Sequence, residues 1–258
     1  MTDGNTKQAD IEEVVALLRS LSPTQVDIID SIIKRFAQGV ESELLRDDFL
    51  SREAFEFFGI RLSAHHAYSS QRLKKENFEH ILEQSFTRAG VIAKPAASMT
   101  VRGADLRVGE VMLSLKTEAA KGLRSGAITI SKLMEAAWIK QIRVREDIPE
   151  YIRAMVLPHF QNYDRVFMLR SYVDPRAATA VRYDLHEIPK ALLERIGDLV
   201  AGDFSPLTPT RTTSATVSFE GATAFKFRLD GSDDKLTITG LDARLCPLHA
   251  WWSLDAPG

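Results

Sequence analysis

Asp105 and Lys116 are the residues whose type and spacing most directly suggest chemistry. They belong to the stretch Gly103-Ala104-Asp105-Leu106-Arg107-Val108-Gly109-Glu110-Val111-Met112-Leu113-Ser114-Leu115-Lys116. It reads as two short strands around a Gly109-Glu110 turn, with the acid at the start and the lysine ending an apolar run. Strand alternation places Met112, Ser114 and Lys116 on one face and Val111, Leu113 and Leu115 on the other. At about 3.3 Å per residue, Ser114 and Lys116 lie roughly 7 Å apart on the same side. An acid beside a lysine suits metal-assisted attack on a phosphodiester. The carboxylate holds a hard cation, and the ammonium positions the attacking water or steadies the developing negative charge.

Elements on either side must bring further groups to this pair. Upstream, Phe78, Ile81, Leu82 and Phe86 form the apolar stripe of a helix from about Lys74 to Ala89, closed by Gly90, with Glu79 and Glu83 one turn apart beside it. Downstream, Ile130, Leu133, Met134, Ala137, Trp138 and Ile142 recur at helical spacing and predict a second amphipathic helix, with Glu135 near its start. With these parts in this order, residues 70 to 190 resemble the PD-(D/E)xK nuclease superfamily, and within it the type II restriction endonucleases.

The resemblance implies an α/β, restriction-endonuclease-like mixed sheet flanked by helices. It also implies a Mg²⁺-dependent, homodimeric enzyme cleaving duplex DNA at a specific sequence. Lys116 would orient the water and help deprotonate it, and Asp105 would hold the metal. One departure matters. The second acid of the superfamily, two residues before the lysine, is here Ser114. Some members with a similar departure supply the carboxylate from the following helix, which implies Glu135 as the replacement ligand. Glu118 is its rival, sharing the Lys116 face if the strand continues, and Glu79 is a further acid within reach. The same departure leaves a second reading, a non-catalytic or repair-type DNA-binding protein on this scaffold.

The net charge of −2 excludes a global basic field, so any DNA contact must come from a local cleft. Lys121 and Arg124 in a basic loop, with Lys132 and Lys140 beyond it, are the candidates for a phosphate-binding rim. Cys246 is the single cysteine, which excludes an intramolecular disulfide and Cys-rich zinc modules. His65 and His66 lack a third His or Cys at ligand spacing and read as loop histidines. No apolar run approaches the roughly 18 residues of a membrane span, and no signal-peptide pattern opens the chain. The expectation is a soluble, cytoplasmic protein.

Three regions follow from the patterning. Residues 1–62 form a helical subdomain, with helices over 11–18, 23–36 and 51–58. Ser22 is the N-cap and Pro23 the first residue of the second helix, and Gly59 closes the third. Residues 63–203 form the nuclease core, in which Arg165–Val173 and Ala177–Leu185 are strands and a helix follows over 189–200. Residues 204–258 are a β-rich extension, with strands over 216–219, 224–229 and 235–238 and a hairpin turn at Asp230–Asp234.

Overall fold

The computed structural model describes residues 3–96, 103–120, 122, 123 and 125–255. Helices α1 (Asp3–Arg19) and α2 (Pro23–Gln38) open the chain, followed by β1 (Glu41–Leu44), α3 (Arg52–Tyr68) and α4 (Lys75–Arg88). Strands β2 (Ala93–Pro95), β3 (Leu106–Val108), β4 (Val111–Glu118) and β5 (Ala127–Glu135) come next. Short helices α5 (Ile148–Tyr151) and α6 (Leu157–Phe160) precede β6 (Arg165–Asp174), β7 (Ala177–Ile188) and α7 (Lys190–Glu194). The chain ends with β8 (Thr213–Phe219), β9 (Ala222–Asp230), β10 (Lys235–Asp242) and β11 (Leu248–Asp255).

Seven strands form a mixed sheet in the order β1-β11-β7-β6-β4-β3-β2, and four form a second sheet, β5-β10-β9-β8. Within the larger sheet β4 and β6 run parallel, and the other pairs are antiparallel. Alternation along β4 and β6 divides the interior in two. Leu113, Leu115, Phe167 and Leu169 face Phe55, Phe58 and Leu62 of α3 and Phe78, Ile81 and Leu82 of α4. Val166 and Met168 point the other way, into a core shared with Ile128, Ile130, Phe225, Phe227, Leu236 and Ile238 of the second sheet. Helices therefore cover one face, while a sheet together with short helices covers the other.

The α/β class agrees with the expectation, and α4, β6, β7 and the β9–β10 hairpin lie close to where the sequence puts them. Ser22 forms the capping box of α2 with Gln25. The helix expected around Glu135 is instead β5. Ile128 and Ile130 alternate inward as a strand requires, and then the register slips. Two steps on β10, from Leu236 to Ile238, face four on β5, from Met134 to Ile130. These extra bulge residues stretch the apolar spacing from two to three and imitate a helical period. A 3₁₀ turn over Ala137–Gln141 carries Trp138 and Ile139 into the core.

Gly59 does not end α3 either, and His65 and His66 stand in this helix and not in a loop. A Cβ on Gly59 would come within 3.0 Å of the Trp252 ring, so the glycine is there to let the helix approach β11. His66 is buried within α3, with Nδ1 3.0 Å from the Ser69 carbonyl and Nε2 2.8 Å from the Tyr183 hydroxyl. Burial pushes its pKa down to about 4. The expected boundary at residues 62 and 63 falls inside this helix. Strand β1, which pairs with β11, joins the first part of the chain to the last.

Candidate active site

The site forms where β3 stops. Its ladder with β4 ends at Leu106 opposite Leu113. The Leu115 N–H therefore lacks a strand partner on that side, and the Asp105 carboxylate takes its place, accepting from it at 2.6 Å. The Asp105 N–H donates to the Leu113 carbonyl at 2.7 Å, and the Ser114 hydroxyl donates to Asp105 at 3.5 Å. Backbone and side chain together fix one carboxylate at the open edge of β4.

The first turn of α4 reaches this edge. The Lys75 ammonium lies 2.7 Å from Asp105 and 3.1 Å from Glu79, one helical turn along α4. Two carboxylates from different elements are thereby gathered around a single cation. Burial works against the Lys75 charge, but its bonds to Asp105 and Glu79 more than offset this and hold its pKa above the usual value. Burial raises the Glu79 pKa, with Lys75 pulling against it and the Asp105 charge adding to the rise.

Lys116 stands beside this cluster, half-buried on the face shared with Ser114. Burial brings its pKa down to about 8, against the pull of Asp105 and with a push from Lys75. An ammonium at that value can give up its proton near neutral pH. Asp105, Lys116 and Lys75 line a cleft of about 1070 Å³ between the large sheet and β5, together with Lys132, Glu135, Trp138, His159 and Asn162. Gly103 backs directly onto the His159 ring, where a Cβ would lie 2.5 Å from Cε1, and its φ of +110° also suits glycine. His159 is a wall of the cleft, held neutral because burial, aided by Lys116, takes its pKa down to about 4.

Asp105, Ser114, Lys116 and Glu79 are thus brought together as expected. Glu135 lines the same cleft from an exposed position at the end of β5, paired with Lys132. That bond holds its pKa below the usual carboxylate range. No contact places it on Asp105, and the helix that was to deliver it does not exist. Lys140 lies on the 3₁₀ turn and pairs with Asp234 at 2.5 Å. Lys121 and Arg124 lie outside the described residues. His159 and Asn162, which also line this cleft, are not among the candidates the sequence yields. The one signal for His159 was the glycine two residues before Asp105.

Glu118 has a different setting. It is buried against Arg170, its neighbour on β6, at 2.7 Å, and its other oxygen accepts from the Thr129 N–H at 2.9 Å. Arg170 also donates to the carbonyls of Ser125 and Ala127. A second acidic cluster, Asp48, Glu187 and His249, lies on the α3 side with ligand-type atoms within 4.8 Å of one another. Arg165 fills it, 2.8 Å from Asp48 and 2.6 Å from Glu187. Burial of Glu187 is outweighed by its bonds to Arg165 and His249, and its pKa falls to about 2.

An α/β chain with a carboxylate and a half-buried lysine lining one open cleft fits the phosphodiesterases, and comparison with known proteins narrows the class. Residues 14–254 match a family model described as SmaI, type II site-specific deoxyribonuclease. The type II restriction enzyme SmaI of Serratia marcescens is 32% identical over 228 residues, covering 87% of each chain. The protein is a type II restriction enzyme, a hydrolase acting on duplex DNA, and belongs to the SmaI family. No solved structure matches the chain. No helix among the described residues is long and apolar enough to cross a membrane.

Proposed function

We propose that the chain is a Mg²⁺-dependent endonuclease of the PD-(D/E)xK type, with Asp105 and Glu79 as its metal-binding acids and Lys116 as the lysine of the motif. The observation that carries this is the convergence of Asp105 and Glu79 on one cation, the Lys75 ammonium, beside Lys116. Hard oxygen donors already grouped around a positive charge suit a small divalent ion. On this reading the acid missing at Ser114 comes from the preceding helix α4, and Glu135 with Lys132 forms the rim of the cleft.

Bound at these acids, Mg²⁺ would supply charge against the phosphoryl oxygens and acidify the attacking water. The protein does the positioning. The Leu115 N–H and the Ser114 hydroxyl hold Asp105 in one orientation. Lys116 takes the water proton at Nζ, its lowered pKa making it a competent base. Attack at phosphorus breaks one P–O ester bond and leaves a phosphate end and a hydroxyl end. Lys132 and Lys75, both lining the cleft, would contact phosphates of the DNA backbone. Each chain carries one such site and a duplex needs two cuts, so the active form is a homodimer.

Purified protein incubated with plasmid should give discrete fragments with uniform ends in Mg²⁺ and none in excess EDTA. Cleavage that survives EDTA, or fragments with random ends, would overturn the proposal.

A further inference from the structure

We infer that a second copy of this chain docks on the exposed apolar face of α1 and α2, with the two α2 helices crossing antiparallel about a twofold axis near residue 31. The inference rests on the homodimer reading above and adds the surface and its geometry.

Among the described residues, eight of eighteen large exposed hydrophobics lie on these two helices: Ile11, Val14, Val15 and Leu17 on α1, and Val26, Ile28, Ile33 and Phe36 on α2. Ile33 is 55% exposed and Phe36 46%. Isolated apolar residues on a surface are ordinary, but an apolar stripe at helical spacing on α2, with four more exposed apolar residues on α1, is the mark of an interface. Arg35 of α2 is buried toward the rest of the fold, so α2 is anchored and still presents this face outward.

The order of residues on α2 identifies the partner. Val26, Ile29, Ile33 and Phe36 form one stripe with steps of three, four and three. That spacing reads the same in both directions. An antiparallel copy therefore places Val26 against Phe36 and Ile29 against Ile33 twice over, as an isologous contact requires. The charges along one edge of the stripe obey the same symmetry. Asp27 and Asp30 occupy the first half of α2 and Lys34 the second, so the acids of one copy meet the lysine of the other. Lys34 and Asp30 already pair at 2.6 Å within the chain, and both are well exposed and free to exchange partners.

Nucleic acid is a poor fit for the same face. Residues 1–38 contain six acids against four bases. A phosphate backbone would be repelled by the very groups that complement a second copy. The α2 pair alone spans about 24 Å. Reaching the roughly 800 Å² per partner of a stable interface calls for the α1 stripe as well.

Sedimentation of the full-length protein provides the test. The wild type should be dimeric at micromolar concentration. Ile33→Asp and Val26→Asp should weaken dimerisation about a hundredfold, with the circular dichroism spectrum unchanged because both residues are exposed. A charge pair guards against nonspecific disruption. Asp27→Lys/Asp30→Lys and Lys34→Asp should each weaken self-association, and mixing the two variants should restore a dimer. Cys246 is buried, so Asp30→Cys would add a single accessible thiol, which a short bismaleimide should link between copies. A dimeric wild type whose apolar variants stay dimeric would overturn this interface while leaving the homodimer reading intact. A monomeric wild type would overturn both, without touching the assignment of the nuclease site.

Discussion

Lys116 and Glu118 stand two residues apart on the same face of β4, each beside a residue of β6, Met168 for one and Arg170 for the other. Above Lys116 lies the cleft. Above Glu118 lies β5, whose Thr129 N–H and Ala127 carbonyl complete the bonding of the Glu118–Arg170 pair. Both Glu118 oxygens are engaged and the side chain is buried beneath β5, so no path leads a metal to it. Asp48 and Glu187 are also filled, by Arg165, although the Asp48 side chain itself is exposed. The Asp105–Glu79 pair also holds a cation, but that cation is a lysine at the rim of an open cleft. Acidic groups of similar composition thus differ in cover and in the cation that fills them: a buried arginine on Glu118, a two-pronged arginine on Glu187, and a single lysine beside an open cleft for Asp105 and Glu79.

The largest test of this contrast is on the open side. Lys116→Ala and Asp105→Asn should each reduce cleavage by about 10³-fold or more, because both groups act on the transition state. Specific DNA binding by Lys116→Ala should stay close to wild type, as should its melting temperature. Single-turnover cleavage within tenfold of wild type would remove Lys116 from the mechanism. Glu135→Gln, at the rim, should cost far less than Glu79→Gln. The reverse order would restore Glu135 as the second ligand.

On the sealed side the loss should be in stability. Glu118→Ala would leave the buried Arg170 without its carboxylate, at a cost of about 3–5 kcal/mol. Denaturant unfolding should show this, and activity per folded molecule should survive. A variant with wild-type stability and no activity would mean that Glu118 is the metal ligand and that the pair described above is incidental.

The sequence made the chemistry of β4 legible because strand alternation is local: Ser114 and Lys116 must share a face whatever surrounds them. The same holds for α4, whose stripe and closing glycine are set by its own residues. Glu135 was misplaced for a physical reason, since the bulge in β5 converts strand spacing into an apparent helical period. Gly59 carried a signal that had two meanings, a helix end or a close approach, and only the position of Trp252 separates them. The Glu118–Arg170 pair spans 52 residues and the Lys75–Asp105 contact 30. Neither separation leaves a periodic trace, so both needed the fold.

The smallest expected effect probes the lysine that distinguishes the open cluster. If Lys75 occupies the position a metal takes, then removing its charge should help the metal and harm the DNA complex. Lys75→Met keeps the apolar stem against α4 and deletes the ammonium. Asp105 and Glu79 would then face each other without a counter-ion, a repulsion that a divalent cation relieves. Lys75 is more than a third exposed, so solvent screens much of this, and a gain of about tenfold in metal affinity is the scale to expect. Calorimetric titration of the DNA-free protein with Mn²⁺ or Mg²⁺ would measure it. Affinity for duplex DNA in Ca²⁺ should fall, with a salt slope smaller by about 0.9 if the freed lysine meets one phosphate. Unchanged metal affinity would show that Lys75 and the metal do not compete, and the likeness between the open cluster and the arginine-filled ones would then end at composition.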